Sequence, residues 1–376
     1  MLLPDPRQWP SGADFAALYA RVDARLAERE SRAADAQDAA IDEALAERVT
    51  AGDGEALAAM LAGAPSAPIH RHLWRRLAEV ERASLRTPTL AVALFALPVT
   101  IVAAREAAGE PVLLPGTLPS STAIAELLHE HDALRGNAQF ALSNALAGAD
   151  ALEVRTLPAL IARARAMLEG GMVEPLALPP QPLRVAGTQE AAHLRFILGS
   201  ALCGPQAEPF DVPEAGKWSV PVARAVSRAL AHPGVTVLAL PRPPQRLVPA
   251  LASGRAAQRD VALQLFVGGA LRRMRSRTGE PSAVLSAHRA ADAPGGGELR
   301  LSLSSLFAPQ EAEGFRYPLQ PYERVPDALA AITALLADCR VSDVRAMPDV
   351  QPDRDPATGV LRFCRPEETP GPDPVR

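Results

Sequence analysis

The sequence predicts a mixed α/β (α+β) fold: a helical N-terminal segment followed by one or two small α/β units with a late antiparallel hairpin. Three patterns predict it. Apolar residues recur at helical spacing through residues 1–86. The longest apolar run, Leu90 to Ala104, is shorter than the roughly 20 residues a membrane helix needs, and its Val99-Thr100-Ile101-Val102 core favours a buried strand. Leu299, Leu301 and Leu303 alternate with Arg300, Ser302 and Ser304, the period of two of a half-buried strand.

Each element has its own signal. Ser11 and Asp14 fit a capping box, after which Phe15, Leu18, Tyr19, Val22 and Leu26 share one helical face. Ile41, Leu45 and Val49 repeat every four residues. A further helix starts near Ser66, with Pro68 in its first turn and Ile69, Leu73, Leu77 and Val80 as its stripe. The strand over Leu90 to Val102 is expected to bend or break at Pro98. Short helices are expected over Ser121–Leu134, Asn137–Leu146 and Thr156–Leu168, the last stopped by Gly170-Gly171. The proline-rich stretch 175–182 reads as a linker between an α/β unit over 87–174 and another over 183–347.

In that second unit, Thr188–Leu202 and Ser219–Leu230 read as helices and Val235–Leu240 as a strand. Helices follow over Gln245–Gly254 and Asp260–Arg275. Ser282–Arg289 and Glu298–Ser304 form the hairpin, with a strand near Phe315, a helix over Pro326–Cys339 and a strand over Val341–Met347. The Pro- and Asp-rich stretch 348–376 reads as disordered.

Composition narrows the class. The chain has 376 residues, enough for two or three domains, and only 4% aromatic residues, so its core must be built from Leu, Val and Ala. Lys217 is the sole lysine. Cys203, Cys339 and Cys364 are odd in number and far apart, which reads as reduced thiols in a cytoplasm, not as a disulfide framework or zinc site. The N-terminus lacks the basic-then-apolar pattern of a signal peptide.

Charge is sorted along the chain. Residues 28–55 carry a local balance of −6 and residues 242–277 one of +7, in a chain whose total is −4. Such segregation suggests surfaces that seek opposite charge, within the chain or on a partner.

The common catalytic signatures are missing. Gly216-Lys217-Trp218 lacks the upstream glycine and the hydroxyl of a phosphate-binding loop, and Gly295-Gly296-Gly297 sits in the hairpin loop. Neither Gly-x-Ser-x-Gly nor His-Glu-x-x-His occurs, and no cofactor is implied. Glu126/His129 and Glu190/His193 have the spacing that joins a carboxylate and an imidazole on one helix face. Only the second pair lies near an apolar face, so Glu190 and His193 are the catalytic candidates and no metal site is assigned. His70-x-His72 and His129-x-His131 would point apart on helices. Cys203 reads as a buried, unreactive thiol.

Arg272, Arg273, Arg275 and Arg277 form the densest basic cluster and are candidates for binding an anion or a partner. They also fall where a helix ends, where cations favour the dipole. A second group, Arg71, Arg75 and Arg76 beside Trp74, reads as the wet face of an amphipathic helix.

The leading expectation is a non-catalytic bacterial cytoplasmic protein that acts through protein–protein contacts or self-association, as a scaffold or accessory subunit. An enzyme with a site outside common motifs, hydrolase-like or metal-dependent, is the alternative. A nucleic-acid-associated protein using 242–277 is the third, disfavoured because Phe266 is the lone nearby aromatic for stacking bases.

Overall fold

The structure is a computed structural model that describes residues 15–28, 32–136, 138–148, 152–210, 215–275, 280–290, 296–305, 308–320, 322–355 and 358–368. The expected capping box at Ser11 and Asp14 lies outside them. The fold is mixed α/β, as expected, and divides into two compact units: Met1–Leu61 with Pro68–Gln258, and Ala62–Ala67 with Arg259–Arg376.

The first unit opens with helices α1 (Ala16–Ala27), α2 (Arg32–Ala51), α3 (Gly54–Ala62) and α4 (Ala67–Ser84). Their apolar stripes face inward: Tyr19 and Val22 on α1, Ile41, Leu45 and Val49 on α2, and Ile69, Leu73, Leu77 and Val80 on α4 are all buried. Leu26, assigned to the same stripe on α1, is instead 41% exposed.

The sheet that follows orders its strands β3-β5-β1-β6, with β7 also on β1. β1 (Ala91–Arg105) is continuous through Pro98, contrary to the expected break. On one side β1 meets β6 (Val235–Pro241) from Val99 onward and β7 (Gln245–Arg246) at Phe95 and Ala96. Pro98 sits at the gap between those two partners, so its missing N–H removes no ladder bond. Its carbonyl still accepts from the Arg242 N–H.

Two segments expected to be helical are strands. β3 (Gln139–Gly148) and β5 (Ala191–Cys203) pair antiparallel, and β5 pairs with β1 across its other edge. Ala, Leu and Gln favour helix locally, but a strand buried on both faces also reads as a continuous apolar run, and sheet pairing overrides propensity. Where β3 ends, the Gln258 side chain continues the ladder: it accepts from the Leu194 N–H and donates to the Ala192 carbonyl at 2.8 Å.

One face of the sheet carries Phe95, Leu97, Val99 and Ile101 and packs on α5 (Ser121–Glu130), on α7 (Ala215–Ala229) and on the two-stranded ribbon of β2 (Val112–Leu114) and β4 (Leu183–Val185). On the other face, α6 (Leu157–Gly170) packs against β1. There too the start of α8 (Leu247–Arg275) brings Gly254 onto the Phe196 ring. The expected linker 175–182 lies inside this unit and is held in place: Leu176 is buried, and the Gln181 side chain accepts from the Gly148 N–H at 2.7 Å. The division falls within α8 instead, where two expected helices are one. Nothing in the local pattern marks it, because an unbroken helix carries no linker composition.

The second unit holds a sheet ordered β10-β9-β8-β11, built from β8 (Pro281–Arg289), β9 (Gly297–Ser305), β10 (Ala308–Pro318) and β11 (Asp343–Gln351). β8 and β9 are the expected hairpin, in register from Pro281 opposite Ser305 to Arg289 opposite Gly297. Helix α9 (Val325–Asp338) lets β11 join β8 in parallel. Leu285, Leu299, Leu301 and Leu303 pack with Val267 and Leu271 of α8 and Ile332 and Leu336 of α9. The stretch expected to be disordered is ordered through Glu368 among the described residues: β11 runs to Gln351, Arg354 bridges Leu361, and Pro366–Glu368 form a 3₁₀ turn.

Gly199 of β5 lies opposite Phe95, whose ring, with Leu142 Cδ2, fills the space a Cβ would need. Gly199→Ala is therefore expected to destabilise by about 2 kcal/mol or more through overpacking. Urea unfolding followed by far-UV circular dichroism checks this.

Candidate functional site

The catalytic candidates do not share a helix. Glu190 is exposed ahead of β5, and His193 lies within β5 opposite Ile101, so the helical proximity that paired them is gone. His193 is half-buried with no hydrogen-bond partner for its Nε2 among the described residues. Burial, then the Arg195 charge, pushes its pKa below the ordinary histidine value. Glu126 and His129 are exposed on α5. No three His, Cys, Asp or Glu side chains converge as a metal site among the described residues. Burial raises the Cys203 thiol pKa, the opposite of what a catalytic thiol requires.

The basic cluster is partly neutralised. Arg273 donates through Nε to Glu313 of β10 at 2.8 Å and pairs with the same carboxylate through a second nitrogen. Arg272 is exposed, Arg275 is the last residue of α8, and Arg277 lies outside the described residues. The wider charge segregation resolves in the same way. Arg246 binds Glu208 at 3.2 Å, and Arg259 grips Glu323 through two nitrogens at 2.6 and 2.7 Å while lying 4.0 Å from the Tyr317 ring centroid. Two acids of α2 turn to α1 and α4: Asp38 meets Arg25 at 3.0 Å and His72 Nε2 at 3.1 Å, and Asp42 takes Arg76. These ion pairs are local, so the charge runs do not by themselves mark adhesive surfaces.

Within that helical cluster, His72 is neutral and wedged. The Arg75 guanidinium approaches its Nδ1 at 2.7 Å, leaving Nε2–H to donate to Asp38. Burial and the Arg75 charge lower its pKa against the pull of Asp38. Trp74 Nε1–H donates to His70 at 3.0 Å, so the tryptophan read as solvent-facing has a partner. The two histidines grip different groups, as helical spacing predicts.

Comparison with models of known families, with characterised proteins and with solved structures gives no match. The chemistry therefore rests on this chain's geometry alone. Among the described residues no helix is long and apolar enough to cross a membrane.

Two features carry no sequence motif. The first is an apolar strip on the sheet of the first unit. On β6, Val235 and Ala239 turn into the core under α7, whereas Leu238 and Leu240 on the opposite face are 51% and 46% exposed, beside half-buried Val102 of β1. β6 is the last strand of its sheet. One of its outer amides, that of Ala239, is taken by Ser227 Oγ at 3.0 Å, which blunts the edge for strand addition and leaves the leucine face as the accessible feature.

The second is a buried polar layer in the second unit. The face of its sheet opposite the leucines carries Ser282, Ser286, His288, Glu298, Arg300, Ser302 and Ser304, each 4% exposed or less. Arg300 donates through Nε to Glu298 at 2.5 Å and through Nη1 to the carbonyls of Asp353 and Arg362 at 2.5 and 2.8 Å. It also pairs with the Asp353 carboxylate. His288 donates from Nδ1 to the Pro352 carbonyl at 2.8 Å and accepts from Ser286 through Nε2. Alternation in β9 places Arg300 on the face opposite the leucines and says nothing of what lies over it. No local signal reveals that Asp353 and Arg362 cover it.

Glu81 of α4 is 1% exposed, and its Oε1 has no hydrogen-bond partner among the described residues. Burial pushes its pKa up to about 7. In the folded chain it keeps its proton where the unfolded chain loses it, so stability falls as pH rises from the ordinary 4.5 toward 7. Glu81→Gln removes that dependence, while the lowered histidines act equally in both proteins. The variant's stability advantage in urea titrations is expected to be about 2 kcal/mol larger at pH 8 than at pH 5. Equal advantages at both pH values would contradict a buried, protonated Glu81.

Proposed function

We propose that this chain is a non-catalytic protein that acts by binding another protein, as a scaffold or accessory subunit in the bacterial cytoplasm. The observation that carries the reading is the pair of neighbouring leucines, Leu238 and Leu240, on the open face of a terminal strand. Adjacent exposed leucines offer apolar area that association would remove from water, worth about 25 cal/mol per Å² before the costs of binding. Glu81 is closed into the core, and the groove between α1 and α2 is lined by Arg21, Glu43, Glu47, Thr50 and alanines. Unbridged Cys203, Cys339 and Cys364 support a reducing compartment.

The test is capture from a lysate of the native host, read by mass spectrometry, with wild-type bait and a Leu238→Lys/Leu240→Lys double variant. Lysine is common on exposed strand edges, and both sites are half-exposed, so the fold is expected to change by less than about 1 kcal/mol. A stoichiometric partner held by the wild type and lost from the variant is the expected result. Equal capture by both, or turnover of a substrate with no partner recovered, would defeat the reading.

A further inference from the structure

We propose that the Asp38–His72 contact is a proton-operated latch: neutral His72 holds the N-terminal half of α2 on α4, and a proton taken up on its Nδ1 releases that half. The argument starts from what α2 can bury. Its larger apolar anchors, Ile41, Leu45 and Val49, begin only midway along the helix. Ahead of Ile41 the buried apolar residue among the described side chains is Ala34, which offers a single methyl group. The hold on that half is therefore mainly polar. Asp38 reaches His72 Nε2 of α4 at 3.1 Å, and Asp42, next to Ile41, takes Arg76 of the same helix.

The contact fits one protonation state. Nε2–H donates to Asp38, so Nδ1 accepts from the Arg75 guanidinium at 2.7 Å. A proton from solvent takes up the Nδ1 lone pair, ends that bond and sets one N–H donor against another. The new charge also sits on a side chain whose residue is 3% exposed, where hydration is lost. Asp38 gives the imidazolium little in return. Its carboxylate already binds Arg25 of α1 at 3.0 Å and lies 3.9 Å from Arg76. The charged groups around the ring are therefore Arg25 from α1, Asp38 and Asp42 from α2, and Arg75 and Arg76 from α4, with Glu79 acting on Arg76 from one turn along.

The direction of the response follows. Burial first, then the Arg75 charge, hold the His72 pKa below the ordinary 6.5. With α2 docked the ring binds fewer protons than with α2 released. Docking keeps its full advantage above pH 6.5 and loses it as pH falls from 6.5 toward the lowered value. The smallest opening that wets the ring is release of this half of α2, so the loss appears there as local opening. The latch is separate from Leu238 and Leu240 and does not depend on the reading built on them.

The test uses the full chain. Hydrogen exchange of the amides of residues 36–42, corrected for the intrinsic effect of pH, is compared at pH 7.5 and pH 5 in the wild type and in His72→Gln. Glutamine stays neutral and still carries a donor for Asp38 and an acceptor for Arg75. Protection of these amides in the wild type relative to the variant is expected to fall at least fivefold between pH 7.5 and pH 5. Glu81, His193 and His288 titrate in both chains, so the ratio cancels them. In the wild type at pH 5 the same amides are expected to exchange faster than the β1–β5 ladder, which marks release rather than global unfolding. Asp38→Asn weakens the latch without acid and is expected to speed their exchange at least fivefold at pH 7.5. Proton NMR of the wild type is expected to show the His72 ring, identified by its absence from His72→Gln, titrating below 6.5. A ratio equal at the two pH values, amides as slow as the ladder at pH 5, unchanged exchange in Asp38→Asn, or a His72 midpoint at or above 6.5 would each overturn the inference.

Discussion

The pairing of β1 with β5 is the interaction on which the first unit depends. Thirteen consecutive residue pairs, Ala91 opposite Cys203 through Ala103 opposite Ala191, join two strands that are covered on both faces. Every other strand of that sheet attaches to one of these two. The pairing is antiparallel and spans 112 residues of sequence at its open end, so a long stretch of chain must be closed before it forms. It also fixes the contact that admits only glycine at 199 and places Leu238 on the outer face of β6, since the register of β6 follows that of β1.

Electrostatics works at short range throughout. Several charges of the two runs are paired with neighbours one helix or strand away, as Asp42 with Arg76 and Arg273 with Glu313. Partly exposed pairs of this kind add little stability and are screened by salt. The consequential charges are the buried ones. Arg300 and Glu298 have no solvent contact, and Glu81 lacks a direct partner for one oxygen. Arg300 resolves the cost of burial with a complete set of acceptors, whereas Glu81 resolves it by retaining its proton.

The helical stripes of α2 and α4, the proline-terminated strand β6, the β8–β9 hairpin and helix α9 were legible because period and punctuation agree with the final environment. β3 and β5 were not, because a strand buried on both faces loses its period of two and an Ala- and Leu-rich run then resembles a helix. The helical spacing that paired Glu190 with His193 disappears with that helix. The burial of Arg300 was illegible for another reason: the strand period shows its face but not its cover, and the residues that cover it lie 53 and 62 positions away.

By itself, the sequence determined the mixed α/β class, the local elements whose apolar spacing matches one buried face, and the unbridged state of its scattered cysteines. Only the tertiary structure decided which polar residues are buried, which apolar ones remain outside, and where one unit gives way to the next. Those properties depend on what packs against a residue, and the packing partner is brought there by strand pairing between distant segments, which no local window of sequence contains.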